Sequence, residues 1–287
     1  MPASEVDVTP DLARALLADQ HPDLADRPIV LAESGWDNVM LRLGDDLALR
    51  LPRRSAAAGL ALNEHRWLPM LGPRLPLPTP IPLRTGAPAL GYPFQWSVVP
   101  WLDGTPSDLA PPGVDEGERL AAFLLALHQP APAEAPPNPY RGVPLAERSA
   151  AFEDRAAEGE RIGAPVKVLR EAWRAGLAAP RDAPPVWLHG DLHGRNVLVK
   201  EGRLSAVIDW GDVTGGDPAC DLAAVWMLLP HPDARRRAVA AYPASAATWT
   251  RARAWAALMA AMLLPVSDNP RMPAMGREIA RRLGTDA

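Results

Sequence analysis

Residues 186–221, VWLHGDLHGRNVLVKEGRLSAVIDWGDVTGGDPACD, constrain this chain more tightly than any other stretch. An apolar run, Val186-Trp187-Leu188, feeds a polar turn from His189 to Asn196, which passes into a second apolar run, Val197-Leu198-Val199. Lys200-Glu201-Gly202-Arg203 breaks the pattern as a turn. Leu204 to Ile208 then returns as a strand that ends in Asp209-Trp210-Gly211-Asp212. The spacing predicts a hairpin with Asn196 at the start of one arm and Asp209 at the end of the other, so that their side chains can converge.

A carboxylate and a carboxamide that meet without Cys or clustered His favour a hard cation with oxygen ligands. Mg²⁺ binds through one or two such groups together with substrate phosphates, which points to a nucleotide. Asp191 lies five residues before Asn196 on the same loop. It is free to orient and deprotonate a hydroxyl, the base role in phosphoryl transfer. The three polar residues thus divide into one base, Asp191, and two metal ligands, Asn196 and Asp209.

His189-Gly190-Asp191-x-x-x-x-Asn196 followed by Ile208-Asp209-Trp210 resembles the aminoglycoside phosphotransferase family. That family is a branch of the protein-kinase-like fold in which HGDxxxxN replaces HRDxxxxN and IDW or IDF replaces DFG. The resemblance implies an α+β, bilobal chain. Its N-terminal lobe, residues 1–101, is an antiparallel sheet with one key helix and the hinge, and its mainly helical C-terminal lobe, residues 102–287, carries catalysis and acceptor binding. It implies Mg²⁺-dependent transfer of the γ-phosphoryl group of ATP or GTP to a small-molecule hydroxyl, with an aminoglycoside as leading acceptor. Macrolides, peptide antibiotics, sugars and amino alcohols are the family's other acceptors. Asp217 and Asp221 match further acids of the family; Asp217-Pro218 reads as a helix start, and Asp221 and His189 as braces of the catalytic loop.

Composition bounds the alternatives. The net charge of −4 argues against a nucleic-acid partner and leans towards a cationic ligand. A single cysteine, Cys220, excludes an internal disulfide and a CxxC metal site, and fits a cytoplasmic setting. Residues 1–5 lack the basic and apolar regions of a signal peptide, and residues 255–265 are too short to span a bilayer. No protein partner is implied. A nucleotide-binding protein without turnover would have lost the base or a metal ligand, and all three are present. A two-metal phosphatase would need a second acid and histidine cluster, which is missing.

Along the chain, Thr9-Pro10-Asp11 opens a helix to about Asp19. Strands follow at 29–31, 39–43 and 47–51 as an antiparallel meander, the nucleotide roof of the kinase-like fold. The Ser34-Gly35 turn stands at the position of a phosphate-covering loop, or is an ordinary hairpin turn. On the third strand Ala48 and Arg50 share a face, so Ala48 can floor a base pocket and Arg50 can reach phosphates. The family's usual residue there is lysine, and no lysine precedes Lys167; Arg53 and Arg54 are rival anchors. On a helix over 57–71, Glu64 falls within the apolar stripe of Leu60, Trp67, Leu68 and Leu71 and pairs with Arg50. Two strands around a Thr85-Gly86 turn lead to the hinge at 96–104. There the resemblance implies base recognition by the Pro100 carbonyl and the Leu102 amide, with Val99 before them. Helices are expected at 115–128, 145–160, 165–178, 220–229, 234–241, 246–264 and 272–283. The acids of the second are interleaved with arginines and read as a solvated face.

Overall fold

The first helix, α1 (Pro10–Gln20), starts where the Thr9 hydroxyl accepts the Leu12 N–H at 3.1 Å, with Pro10 in the first turn. The computed structural model describes residues 3–285. Met1 and Pro2, part of the N-terminal segment read for a leader, lie outside the described residues, as do Asp286 and Ala287. Chain contacts separate two units. One runs from the N-terminal residues to Pro73 and adds Pro78–Asp103 and Asp209–Gly211; the other comprises Arg74–Leu77, Gly104–Ile208 and the chain from Asp212 onward.

In the first unit, β1 (Ile29–Ser34), β2 (Asn38–Leu43) and β3 (Leu47–Pro52) form the expected meander. After α2 (Ser55–Leu71), β4 (Arg84–Gly86) and β5 (Trp96–Pro100) complete an antiparallel sheet of order β1-β2-β3-β5-β4. Leu41, Leu43, Leu49, Leu51, Trp96 and Val98 bury one face of this sheet with Leu16 and Leu17 of α1. Ala48 and Arg50 alternate onto the other face of β3, and both are buried. On α2, Ala57, Ala61, Glu64, Trp67, Leu68 and Leu71 are the buried positions, at the three-to-four spacing of a helix stripe, while Leu60 is only partly buried.

One expected turn is overturned. Thr85-Gly86 belongs to β4, and Gly86 pairs with Trp96, where a Cβ would come within 1.9 Å of the indole. This glycine permits close approach rather than reversal. The reversal falls at Ala89–Tyr92, whose backbones bond reciprocally while Leu90 and Gly91 take φ of 52° and 80°.

In the second unit, β6 (Thr105–Pro106) pairs with β8 (Val197–Lys200), which forms a hairpin with β9 (Arg203–Val207). Separately, β7 (Val186–Leu188) pairs with β10 (Thr214–Gly216). The helices are α3 (Glu116–Leu127), α4 (Ser149–Arg161), α5 (Val166–Ala178), α6 (Ala219–Leu222), α7 (Ala224–Leu228), α8 (Pro232–Ala241), α9 (Ala246–Leu263) and α10 (Arg271–Thr285). The helix expected at 145–160 begins as a 3₁₀ turn, and that expected at 220–229 divides at Ala223. Small residues let α5 and α9 pack closely: a Cβ on Gly176 would meet the Ala254 methyl at 2.3 Å. Arg170 reaches Glu153 and Glu160 at 3.4 and 2.8 Å, which accounts for acids of the charged helix face by surface pairing. No helix among the described residues is long and apolar enough to cross a membrane.

Phe152 of α4 stacks on Trp173 of α5 at 4.4 Å between ring centroids, with both rings fully enclosed. Trp173→Ala is expected to lower unfolding free energy by about 3–5 kcal/mol, read from urea denaturation, because the cavity cannot collapse between packed helices.

Candidate active site

The turn after β7 is fixed by one carboxylate. Asp221, buried at the start of α6, accepts the N–H groups of His189 at 2.7 Å and Gly190 at 2.9 Å. His189 is itself buried: its Nδ1 accepts the Asp191 N–H, so its Nε2 carries the proton that it gives to the Ile208 carbonyl at 3.0 Å. Gly190 has φ of 87°, and a Cβ there would lie 2.8 Å from the Asp212 carbonyl. Only glycine fits, and the turn it permits sets the direction of Asp191.

Both oxygens of Asp191 are engaged. Oδ1 lies 2.7 Å from Arg141 Nη2, while Oδ2 accepts from Asn196 Nδ2 at 3.1 Å and lies 3.3 Å from His193 Nε2. Burial alone would raise the Asp191 pKa. The positive charge of Arg141, with His193 beside the other oxygen, outweighs it and holds the carboxyl far below the usual range. Burial works against a charged His193, yet Asp191 raises its pKa overall. Asn196 Nδ2 also bonds the Asp191 carbonyl at 3.0 Å, and the Asn196 carbonyl receives the Ile208 N–H at 2.9 Å, which ties the loop to the end of β9.

Arg50 centres the charged cluster of the first unit. Its Nη2 is 2.7 Å from Asp209 Oδ1, and its Nε lies 2.9 Å from Glu64 Oε2. The Nε–H is not aimed at that oxygen, so the second contact is an ion pair without a directed hydrogen bond. Burial and the Asp209 charge raise the Glu64 carboxyl, Arg50 and the Trp210 N–H, 2.8 Å from Oε1, pull it down, and the balance leaves it pushed up to about 7. Burial disfavours the charged guanidinium of Arg50, but Glu64 and Asp209 raise its pKa. Asp209 takes φ of 63°, a left-handed conformation that acidic residues tolerate better than branched ones.

The rival arginines are otherwise engaged. Arg53 donates to Ser34 Oγ at 3.1 Å and to the Gly35 carbonyl at 3.0 Å, and Arg54 pairs with Asp37. Gly35 N–H closes the Ser34-Gly35 turn onto the Asn38 carbonyl at 2.8 Å. Ala48 is buried opposite Val99, and Pro100 pairs with Leu47 at the end of β5. The Trp101 N–H is taken by the Asp46 carbonyl at 2.8 Å, and Leu102 is half-buried just beyond.

Sequence reading missed three charged residues. Arg141 and His193 hold Asp191, and Arg251 forms a two-point pair with Asp217, at 2.7 and 3.2 Å. Asp217 also caps α6 through the Ala219 N–H, the part of its role that the Asp-Pro pattern carried. His193 stood two residues from Asp191 and was the one with a sequence signal.

An antiparallel sheet unit with a Glu-bearing helix, and a helical unit carrying a braced HGDxxxxN loop, define a kinase-like small-molecule phosphotransferase fold. The chain belongs to the phosphotransferase enzyme family APH, whose model matches residues 28–255. A thiamine kinase from Salmonella paratyphi A is 28% identical over 207 residues, 70% of this chain and 66% of the relative, so the chain spans about two thirds of the curated relatives' length. The GDP complex of aminoglycoside 2'-phosphotransferase-IIIa superposes with a TM-score of 0.67 at 16% identity, covering 98% of this chain and 100% of that one. A macrolide 2'-phosphotransferase from Brachybacterium faecium gives 0.61 at 23%, covering 94% and 97%. At these identities the two structures share the fold. These relatives are small-molecule kinases and phosphotransferases.

A depressed carboxylate pKa contributes stability above the unfolded value, about 3.9, that is lost as pH falls towards the folded value. Asp191→Asn is therefore expected to cost about 1.5–3 kcal/mol at neutral pH, the worth of hydrogen bonds to a charged group. In urea denaturation at successively lower pH, the gap between wild type and variant should shrink through the carboxylate range. A constant gap would contradict the charged state of Asp191.

Proposed function

We propose that this protein transfers the γ-phosphoryl group of a nucleoside triphosphate, ATP or GTP, to a hydroxyl of a small molecule. The observation that carries this reading is Asp191: a carboxylate held ionised on a braced loop, with the Asn196 carboxamide hydrogen-bonded to it. The acceptor oxygen forms a bond to the γ-phosphorus as the bond to the β,γ-bridging oxygen breaks. The nucleoside diphosphate leaves, and the hydroxyl proton passes to Asp191. So weak a base suits a loose transition state, in which the nucleophile keeps its proton until bonding to phosphorus is advanced.

Arg50 would anchor the phosphates, with Glu64 holding its guanidinium and the Ser34-Gly35 turn covering them. Ala48 and Val99 would flank the base, and the Pro100 carbonyl and Leu102 amide would recognise its edge. A guanidinium serves phosphate as well as lysine does, with bidentate geometry and a permanent charge.

The Asn196 carboxamide oxygen and the Asp209 carboxylate would each offer Mg²⁺ a hard oxygen donor. No group of three His, Cys, Asp or Glu side chains among the described residues could hold a metal, but a cation shared with phosphates needs only one or two protein oxygens. When bound, Mg²⁺ supplies charge neutralisation at the phosphates. The relatives' names bring thiamine, an aminoglycoside and a macrolide as acceptor candidates, and antibiotic resistance would follow if the acceptor were one of the last two.

Asp191→Ala is expected to lower turnover by about 10²–10⁴-fold while Mg-nucleotide binding, measured by calorimetry, stays near wild type. Arg50→Ala should instead raise the nucleotide KM. Wild-type turnover in Asp191→Ala would sink the assignment, and a raised KM in Arg53→Ala alone would move the anchor to that arginine.

A further inference from the structure

The last helix, α10, begins with an arginine, a residue that a helix start disfavours: the N–H groups there carry partial positive charge and stabilise acids rather than bases. Asn269 fixes the backbone of Arg271, since its Oδ1 accepts the Arg271 N–H at 3.1 Å and its carbonyl accepts the Met272 N–H at 3.1 Å. Further along, Gly276 brings α10 against α9, where a Cβ would lie 3.0 Å from the Ala260 carbonyl. Arg282, near the far end, donates to the Trp226 and Met227 carbonyls at 3.0 and 2.9 Å. Arg271 therefore extends from a helix anchored along its length.

Asp108 offsets the misfit. Arg271 Nε and Nη2 meet Asp108 Oδ2 and Oδ1 at 2.7 and 2.6 Å, a two-point pair across 163 positions. The Asp108 side chain is 4% exposed, so loss of the guanidinium strands a buried carboxylate. The backbone around Asp108 in turn seats the loop between Asp191 and Asn196. The Gly194 carbonyl accepts the Asp108 N–H and the buried Ser107 hydroxyl, each at 3.2 Å, and the Val197 carbonyl accepts the Ser107 N–H at 2.9 Å. A Cβ on Gly194 would lie 2.9 Å from Asp108 Cβ, so the two segments touch with no room for a side chain between them. On either side of Gly194 the loop is closed by the His193 N–H on the Asp191 carbonyl at 2.9 Å and the Asn196 N–H on the His193 carbonyl at 3.0 Å.

We propose that Arg271 is a positioning residue for the phosphoryl transfer: by clamping Asp108 it seats Gly194, and so fixes the loop that carries Asp191 and Asn196. This rests on the phosphotransferase reading above. The action on both residues runs through Asp108 and the Gly194 carbonyl. A base displaced by about 1 Å loses about hundredfold in rate even when the change lies far from the chemistry. The residues assigned to the nucleotide base and phosphates lie on the sheet unit, so the loss falls on kcat and not on nucleotide KM.

The test compares wild type with Arg271→Ala, Arg271→Lys, Asp108→Asn and a surface control, Arg281→Ala. Turnover is measured with Mg-ATP and thiamine, kanamycin or a macrolide as acceptor. Amide hydrogen exchange across residues 192–197 is followed separately, on protein without ligand. Arg271→Ala should lower kcat about tenfold to hundredfold with nucleotide KM within about twofold of wild type. Exchange across the loop should quicken about tenfold, because local opening no longer has to break the clamp. Arg271→Lys keeps the charge but not the planar fork, and should recover part of both losses. Asp108→Asn leaves no stranded carboxylate, should show the same split, and stands in if Arg271→Ala does not fold. Arg281→Ala, which removes only an exposed pair with Glu278, should match wild type in both measurements. Wild-type kcat in Arg271→Ala, a loss that falls on nucleotide KM instead, or unchanged exchange across the loop overturns the inference alone. No product from wild type with any of the acceptors overturns the phosphotransferase reading, and the inference with it.

Discussion

Two backbone N–H groups converge on the buried carboxylate of Asp221, and the geometry of the HGD turn depends on that convergence. Successive amides that point the same way leave the chain little choice of direction, so Gly190 must take positive φ and Asp191 must follow. His128 lies beside Asp221, its Nε2 3.5 Å away without a directed hydrogen bond, while its Nδ1 meets the Tyr242 hydroxyl at 2.7 Å. The His128 backbone N–H also closes the last turn of α3.

A second constraint recurs: three arginines each stand between two carboxylates. Arg50 stands between Glu64 and Asp209, Arg141 between Asp191 and Asp212, and Arg251 between Asp217 and Asp182. Removing one partner strands the other in a low-dielectric interior, which is far costlier than the net worth of the set suggests. The scarcity of lysine fits this arrangement. A guanidinium can address two carboxylates at once with a planar fork, which a single ammonium does less well.

How much of this was legible depended on sequence distance and on periodicity. The hairpin carrying Asn196 and Asp209 was readable because its turns and apolar runs are local, and the Arg50 and Glu64 placements followed from two periods, alternation on β3 and helix phase on α2. Arg141 was not readable. It lies 50 positions before Asp191 in a proline-rich loop with no period, so nothing in spacing ties it to the base. Arg251 and Asp217 are separated by 34 positions and by three helices, with the same result. Gly86 misled because a glycine that admits an indole ring and a glycine that turns the chain look alike in sequence. The family resemblance supplied the fold and the reaction class.

The central claim is that the γ-phosphoryl group moves directly to a small-molecule hydroxyl under the control of Asp191. Nucleotide carrying isotope-labelled non-bridging γ-oxygens, incubated with protein, Mg²⁺ and an acceptor, reports on it most directly through mass spectrometry of every phosphorus-containing product. Direct transfer places the intact labelled phosphoryl group in an ester on the acceptor. Label found only in inorganic phosphate, or on a side chain of the protein, would contradict it.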